Sequence, residues 1–121
     1  MKSCLVVDDS RVIRTVACRI LESMNFEAHE AESGAGALQA CRTHMPDVIL
    51  LDWTMRDMGG VEFLRNLRRE QGGKQPVVVL CTIENDAEKI NEAINAGASE
   101  YLVKPFDRDT IAAKFAAVGL V

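Results

Sequence analysis

The sequence predicts an α/β domain built on a doubly wound, parallel five-stranded sheet with helices on both faces. Three observations lead there. Short apolar runs alternate five times with longer stretches of helical periodicity. Two of those runs, Val48-Ile49-Leu50-Leu51 and Val77-Val78-Val79-Leu80-Cys81, are continuously apolar, as strands buried on both faces are. No Gly/Ser linker or internal repeat divides the 121 residues, so 1–121 reads as one domain with a full core.

Ser3 to Val7 is the first strand, and Asp8-Asp9-Ser10 is the turn after it, with Ser10 placed to cap the next helix. In that helix Val12, Ile13, Val16, Ala17, Ile20, Leu21 and Met24 recur at helical spacing, with the arginines on the other side, and Asn25 ends it. Phe26 to Ala31 is a weaker strand, interrupted by Glu27 and His29 as an edge strand would be. Ser33 caps a helix from Gly34 to His44 whose apolar face is Ala37, Leu38 and Cys41, and Pro46 closes it.

Asp47 opens the central strand, which ends at Asp52. After a loop from Trp53 to Gly59, a third helix runs from Gly60 to about Glu70 with Val61, Leu64 and Leu67 inward, until Gly72-Gly73 breaks it. Pro76 to Cys81 is a fourth strand, followed by Thr82 and a polar turn, Glu84-Asn85-Asp86. The helix from Ala87 to Ala96 offers only Ala87, Ile90 and Ile94 to the core, and an element that buries so little is suited to movement. Gly97 stops it. Glu100 to Val103 is the fifth strand, leading into Lys104-Pro105, and Asp107 caps a last helix with Ile111, Phe115 and Val118 on one face.

Composition excludes several classes of function. At 48% hydrophobic and 26% charged, the chain has the balance of a soluble globular protein rather than a disordered or membrane-spanning one. A net charge of -4 gives no electrostatic footprint for nucleic acid, and the arginines at 11–19 and 65–69 fall at helical spacing as solvated faces do. Cys4, Cys18, Cys41 and Cys81 form no C-x-x-C pair, and His29 and His44 stand alone, so free thiols in a reducing cytoplasm are expected. The apolar run before Asp8-Asp9 is too short for a secretory signal.

The chemistry gathers at the strand ends. Asp52 ends one strand and Asp8-Asp9 end another, at the sheet edge where open α/β sheets bind ligands. Two unit charges about 4 Å apart repel by roughly 4 kcal/mol at an effective dielectric of about 20. Against a domain stability of about 5–15 kcal/mol that repulsion needs protons, a lysine or a metal ion to offset it. An all-oxygen donor set suits Mg2+. Thr82 and Lys104, at two further strand ends, add a hydroxyl and an ammonium. A carboxylate nucleophile, a divalent cation, a hydroxyl and a lysine are the parts that take up and hold a phosphoryl group. Singly, these residues serve as caps, strand-end hydroxyls or surface lysines, and Tyr101 as a half-buried strand aromatic; their concentration at four of five strand ends points to chemistry. There is no G-x-x-x-x-G-K and no G-x-G-x-x-G, so no nucleotide cradle.

The pattern Asp8-Asp9, Asp52, Thr82 and Lys104-Pro105-Phe106 resembles the receiver domain of two-component response regulators over essentially the whole chain, and most closely its stand-alone, chemotaxis-type (CheY-like) members. The resemblance implies a flavodoxin-like strand order, 2-1-3-4-5. It implies that Asp52 accepts a phosphoryl group from a histidine kinase or histidine phosphotransfer protein. Asp9 and Asp52 would bind Mg2+ directly with the backbone carbonyl of Thr54, Asp8 would act through water, and Thr82 and Lys104 would contact the phosphoryl oxygens. Movement of Thr82 would let Tyr101 swing inward and alter the face made by the fourth helix, fifth strand and fifth helix, where a separate output protein binds. A cis Lys104-Pro105 bond is implied as well. Since the sequence stops after the fifth helix, no attached output domain is expected. The resulting expectation is a cytoplasmic monomer in chemotaxis or motility signalling, with no nucleic-acid partner and no membrane insertion.

Three positions depart from the family pattern: Arg56 where proline is usual, Gly59 where aspartate is usual, and Ile83 where a small residue is usual. The first two should loosen the loop after Asp52, and the third should restrict access to it. Two other readings compete. A Mg2+-dependent aspartyl-phosphate hydrolase generally carries an acid/base aspartate two residues after its nucleophile, where this chain has Thr54. A non-phosphorylated, receiver-like adaptor would not need all five key residues. A flavin-binding domain of the same topology is disfavoured because Asp8-Asp9 would repel its phosphate.

Overall fold

The computed structural model describes residues 1–83 and 87–121; the turn read at Glu84-Asn85-Asp86 lies outside the described residues. Strands and helices alternate as β1 (Ser3–Val7), α1 (Arg11–Ser23), β2 (Glu27–Ala31), α2 (Gly34–Thr43), β3 (Val48–Asp52), α3 (Gly60–Arg69), β4 (Val77–Thr82), α4 (Ala87–Asn95), β5 (Glu100–Val103) and α5 (Arg108–Ala117). The strands pair in parallel in the order β2-β1-β3-β4-β5. This is the topology that the alternation and the resemblance imply. β1 and β3 are buried along their whole length, as their unbroken apolar sequences require, while β2 is the exposed edge.

The sheet separates two cores. On one face Leu5, Val7, Ile49, Leu51, Val78 and Leu80 pack against α2, α3 and Ala93 of α4. On the other, Cys4, Val6, Leu50, Val79 and Leu102 meet α1 and α5, and Phe26 and Phe115 stack edge to face at 5.2 Å. Each fully buried Leu, Phe or Ile contributes about 1.5–3 kcal/mol. The caps stand where the sequence puts them: Ser10 and Ser33 accept backbone N–H groups of α1 and α2, Asn25 turns the chain out of α1 at φ 65°, and Asp107 forms a capping box with Thr110. The Lys104-Pro105 bond is cis.

Several helix faces differ from the reading by periodicity. In α1 the buried residues are Ala17, Cys18 and Leu21, whereas Val12 is 71% and Val16 43% exposed. At 100° per residue those valines lie about 180° and 140° around the helix from Leu21. The space they were assigned is partly taken by Arg14, which turns inward instead of to solvent. In α3, Phe63 joins Leu64 and Leu67 as a fully buried residue, and Val61 sits at the margin. In α4, the buried residue is Ala93; Ala87 is exposed, Ile94 is 42% exposed and Ile90 is only half-buried. On α5, Val118 is half-exposed beyond Ile111 and Phe115.

The loop after β3 is anchored rather than loose. Asp57 accepts the N–H groups of Gly34 and Ala35, both at 3.0 Å, pinning the loop to the start of α2. Met55 is buried, and Gly59 has φ -69°, an ordinary conformation that does not call on glycine's freedom. Gly60 is different: a Cβ there would stand 1.9 Å from Cε3 of Trp53, so the indole packs directly on its backbone. Gly60→Ala is therefore predicted to lower stability by about 1–3 kcal/mol and to shift Trp53 emission, as measured by urea unfolding and fluorescence. A variant within about 0.5 kcal/mol of the parent would contradict this close packing.

Candidate functional site

Parallel register decides which side chains meet. Val7 pairs with Leu51, so the next residues, Asp8 and Asp52, lie side by side; Asp52 pairs with Cys81, and Thr82 with Val103. Asp8, Asp52, Thr82 and Lys104 thus occupy neighbouring positions along the carboxyl edge, next to the crevice where the strand order reverses about β1. A cleft of about 250 Å³ opens there, lined by Asp8, Asp9, Ser10, Asp52, Trp53, Thr54, Thr82, Ile83, Lys89 and Lys104. All the residues assigned from the sequence to phosphoryl or metal binding line it. Tyr101 does not: it is half-buried on β5, with the Lys114 ammonium 4.0 Å from its ring centroid. Ile83, the position read as restricting access, is 74% exposed at the rim.

The charges are arranged unequally. Lys104 Nζ donates to Asp8 Oδ2 at 2.8 Å and to Asp52 Oδ1 at 3.4 Å. Asp8 also accepts the Ser10 N–H at 2.8 Å, whereas the Thr54 N–H reaches Asp52 only at 3.4 Å. Burial pulls the Lys104 pKa down, but the Asp8 hydrogen bond and the charges of Asp52 and Asp8 outweigh it and hold the ammonium above its usual value. For Asp52, burial pushes the pKa up and the charge of Asp8 adds to it, while Lys104 and the Thr54 N–H only partly oppose the rise. Asp8 makes the two short contacts, and Asp52 the two long ones.

Two residues that the sequence did not single out border this geometry. Arg14 donates through Nη1 to the Asp8 carbonyl at 2.8 Å and through Nε to Glu30 at 2.9 Å, fixing the turn after β1. Lys89 reaches the cleft from α4. Both are charged helical residues, which in sequence read the same as part of a solvated face. Cys81, beside Asp52, is no rival nucleophile, because burial pushes its thiol up to about 12.

Among the described residues, Asp8, Asp9 and Asp52 place one carboxylate oxygen each within 4.8 Å of one another. Asp9 is the solvent-facing member, and Arg56, 95% exposed, approaches it at 3.9 Å in a contact that an ion would readily displace. Three hard oxygen donors, one side open to water, fit a small divalent cation such as Mg2+.

Fold and site together define a class: a doubly wound α/β domain with an acidic cleft at its strand ends, bridged by a lysine. The family model for the response regulator receiver domain matches residues 4–116, and the chain belongs to that family. The phosphate regulon transcriptional regulatory protein PhoB of Escherichia coli is 34% identical over 114 residues, 94% of this chain but 50% of PhoB, so the chain spans half the length of that regulator. Chemotaxis protein CheY of Bacillus subtilis is 34% identical over 108 residues, 88% of each chain. The structure of Vibrio cholerae CheY4 matches with a TM-score of 0.92 at 33% identity, covering 98% of both chains.

The raised pKa of Asp52 carries a thermodynamic consequence. Between its unfolded and folded values the folded protein holds more protons, so stability falls as pH rises through that window. Asp52→Asn removes the cost of the buried charge. It is predicted to melt on the order of a few degrees above the parent at pH 7, with the gap closing as pH drops below the ordinary value of 3.8. A lower melting temperature at neutral pH would contradict the charge arrangement.

Proposed function

We propose that the chain is a phosphorylation-controlled switch in which Asp52 accepts a phosphoryl group from a phosphohistidine on a histidine kinase or histidine phosphotransfer protein. The observation that carries this reading is the state of Asp52 itself: 6% exposed, at the wall of an open cleft, with a raised pKa and only long contacts to Lys104 and Thr54. An Asp52 carboxylate oxygen attacks phosphorus, the phosphorus–nitrogen bond of the phosphohistidine breaks, and the imidazole leaves with its nitrogen protonated. Lys104, already within reach of Asp52, binds the phosphoryl oxygens, and Thr82 donates its hydroxyl to them.

Asp9 and Asp52, with the Thr54 carbonyl and with Asp8 through water, are the groups to hold Mg2+. When bound, the ion spreads the negative charge that develops on the transferring group. Apart from that, the chain's own residues position and neutralise: Asp8 keeps Lys104 in place, and Arg14 keeps Asp8 in place.

Thr82 drawn toward the phosphoryl group leaves space for Tyr101 to turn inward, altering the α4–β5–α5 face for a separate output protein. CheY relatives favour chemotaxis or motility as the setting, with the protein acting as a cytoplasmic monomer. The protein then catalyses only its own phosphorylation and dephosphorylation. The hydrolase reading loses support because Thr54 carries no proton-transfer group, and Asp57, the next carboxylate in the loop, is turned away to cap α2.

Acetyl phosphate with Mg2+ is predicted to add one phosphate mass at residue 52 and to change Trp53 fluorescence. Asp52→Asn should keep the response to Mg2+ and lose the response to acetyl phosphate; addition elsewhere, or an undiminished second response, would reject the assignment. Arg56→Pro is predicted to change the dephosphorylation rate about two- to fivefold, since Arg56 is the exposed cation beside Asp9. Identical decay of the two phosphoproteins would remove Arg56 from the mechanism.

A further inference from the structure

Lys89, in the first turn of α4, lines the cleft over Asp52 and also lines a second cleft beside it, formed with Trp53, Thr54, Gly60, Glu62 and Glu92. Its neighbours Ala87 and Glu88 are exposed, whereas Lys89 is half-buried. One ammonium on a flexible stem thus borders both an acidic reaction site and a groove with two glutamates of its own. We propose that Lys89 is a second phosphoryl-binding cation, carried by α4, and that its capture by phosphorylated Asp52 repositions that helix. The proposal rests on the reading of Asp52 as phosphoryl acceptor.

Charge and anchoring support it. In the unphosphorylated cleft Lys104 is committed to Asp8 and Asp52, and it is rooted at the end of a strand. A phosphoryl group on Asp52 brings a charge of about -1.5 to -2 in place of a single carboxylate, more than one lysine shared with Asp8 neutralises. Among the described residues, Lys89 is the other cation lining that cleft. It comes from an element held to the core by Ala93, a side chain of one carbon, so moving the start of α4 costs little apolar burial. The shared boundary of the two clefts, Trp53 and Thr54, lets the ammonium pass from the glutamate side to the phosphoryl side without crossing the core. This gives α4 two discrete arrangements, which phosphorylation biases directly.

The test titrates the full chain, in Mg2+, with the phosphoryl mimic beryllofluoride, following Trp53 fluorescence and amide hydrogen exchange over 87–95. Lys89→Gln is expected to bind beryllofluoride about three- to tenfold more weakly, and Lys89→Arg to stay within about twofold of the parent. Mg2+ alone should bind Lys89→Gln at least as tightly as the parent, because one repelling cation is gone, and exchange in α4 should no longer respond to beryllofluoride. Unchanged affinity with an unchanged α4 response overturns the proposal. Weakened binding of Mg2+ and beryllofluoride together marks a merely structural lysine and overturns it too. A parent protein that fails to bind beryllofluoride would instead overturn the acceptor role of Asp52.

Discussion

The site depends on one ammonium held between two carboxylates. Lys104 at 2.8 Å from Asp8 and 3.4 Å from Asp52 is what allows strand-end aspartates to stand side by side in a largely buried corner. Such pairs add little net stability, because desolvation takes back most of the Coulomb attraction. Their value here is positional. The unequal distances distinguish the two carboxylates: Asp8 is held closely by Lys104 and the Ser10 N–H, whereas Asp52 has longer contacts and a pKa raised chiefly by burial.

That division needs a rigid frame, which consists of groups one step away from the cleft. Arg14 clamps the carbonyl of Asp8 from α1 and is steadied by Glu30 of β2, so the turn after β1 is braced by two neighbouring elements. Asp57 ties the loop that follows Asp52 to the start of α2, where the N–H of Gly34 holds its carboxyl below the usual range. The indole of Trp53, seated on the backbone of Gly60, fixes the first turn of α3 against the same loop. A loop whose sequence lacks proline and ends in a glycine is thereby fixed by side-chain hydrogen bonds and a ring contact instead of by backbone stiffness.

The strands were legible in the sequence because burial on both faces leaves only apolar residues, and no competing pattern produces Val48 to Leu51 or Val77 to Cys81. The strand ends were legible for a related reason: parallel topology alone brings Asp8, Asp52, Thr82 and Lys104 to one edge, whatever their neighbours do. Helix faces were harder. The seven apolar positions of α1 cover about half its circumference, and periodicity does not say which part the sheet will cover; Arg14 wins a place there because a bare carbonyl and Glu30 await it. Ala93 and Phe63 were missed for different reasons, one too small to stand out and the other about 160° round the helix from Val61, though only about 40° from Leu67. Lys89 and Asp57 carry no sequence signal, since a charged residue in a polar stretch looks the same whether it meets water or a site.

The way α4 is fastened bears on how a charge change at Asp52 would reach a distant face. At its far end the helix is gripped firmly: Arg68, half-buried, donates to the carbonyls of Gly73, Pro76 and Gly97, joining the end of α3, the approach to β4 and the turn after α4. Ala93 and Ala98 seal the same region into the core. Toward the cleft, Ala87 and Glu88 are exposed, and the first-turn residue directed at the site is Lys89. A helix whose described apolar burial lies toward one end is suited to pivot about that end, and under the proposed role of Lys89 a displacement of its first turn would shift Ile90 and Ile94 on the α4 surface. The core opposite, built on fully buried leucines, valines and phenylalanines, has no such freedom. Under the proposed role of Lys89, a cation at the cleft end of this lightly buried helix would convert an electrostatic event of a few ångströms into a change of shape, without disturbing the sheet that holds the site in place.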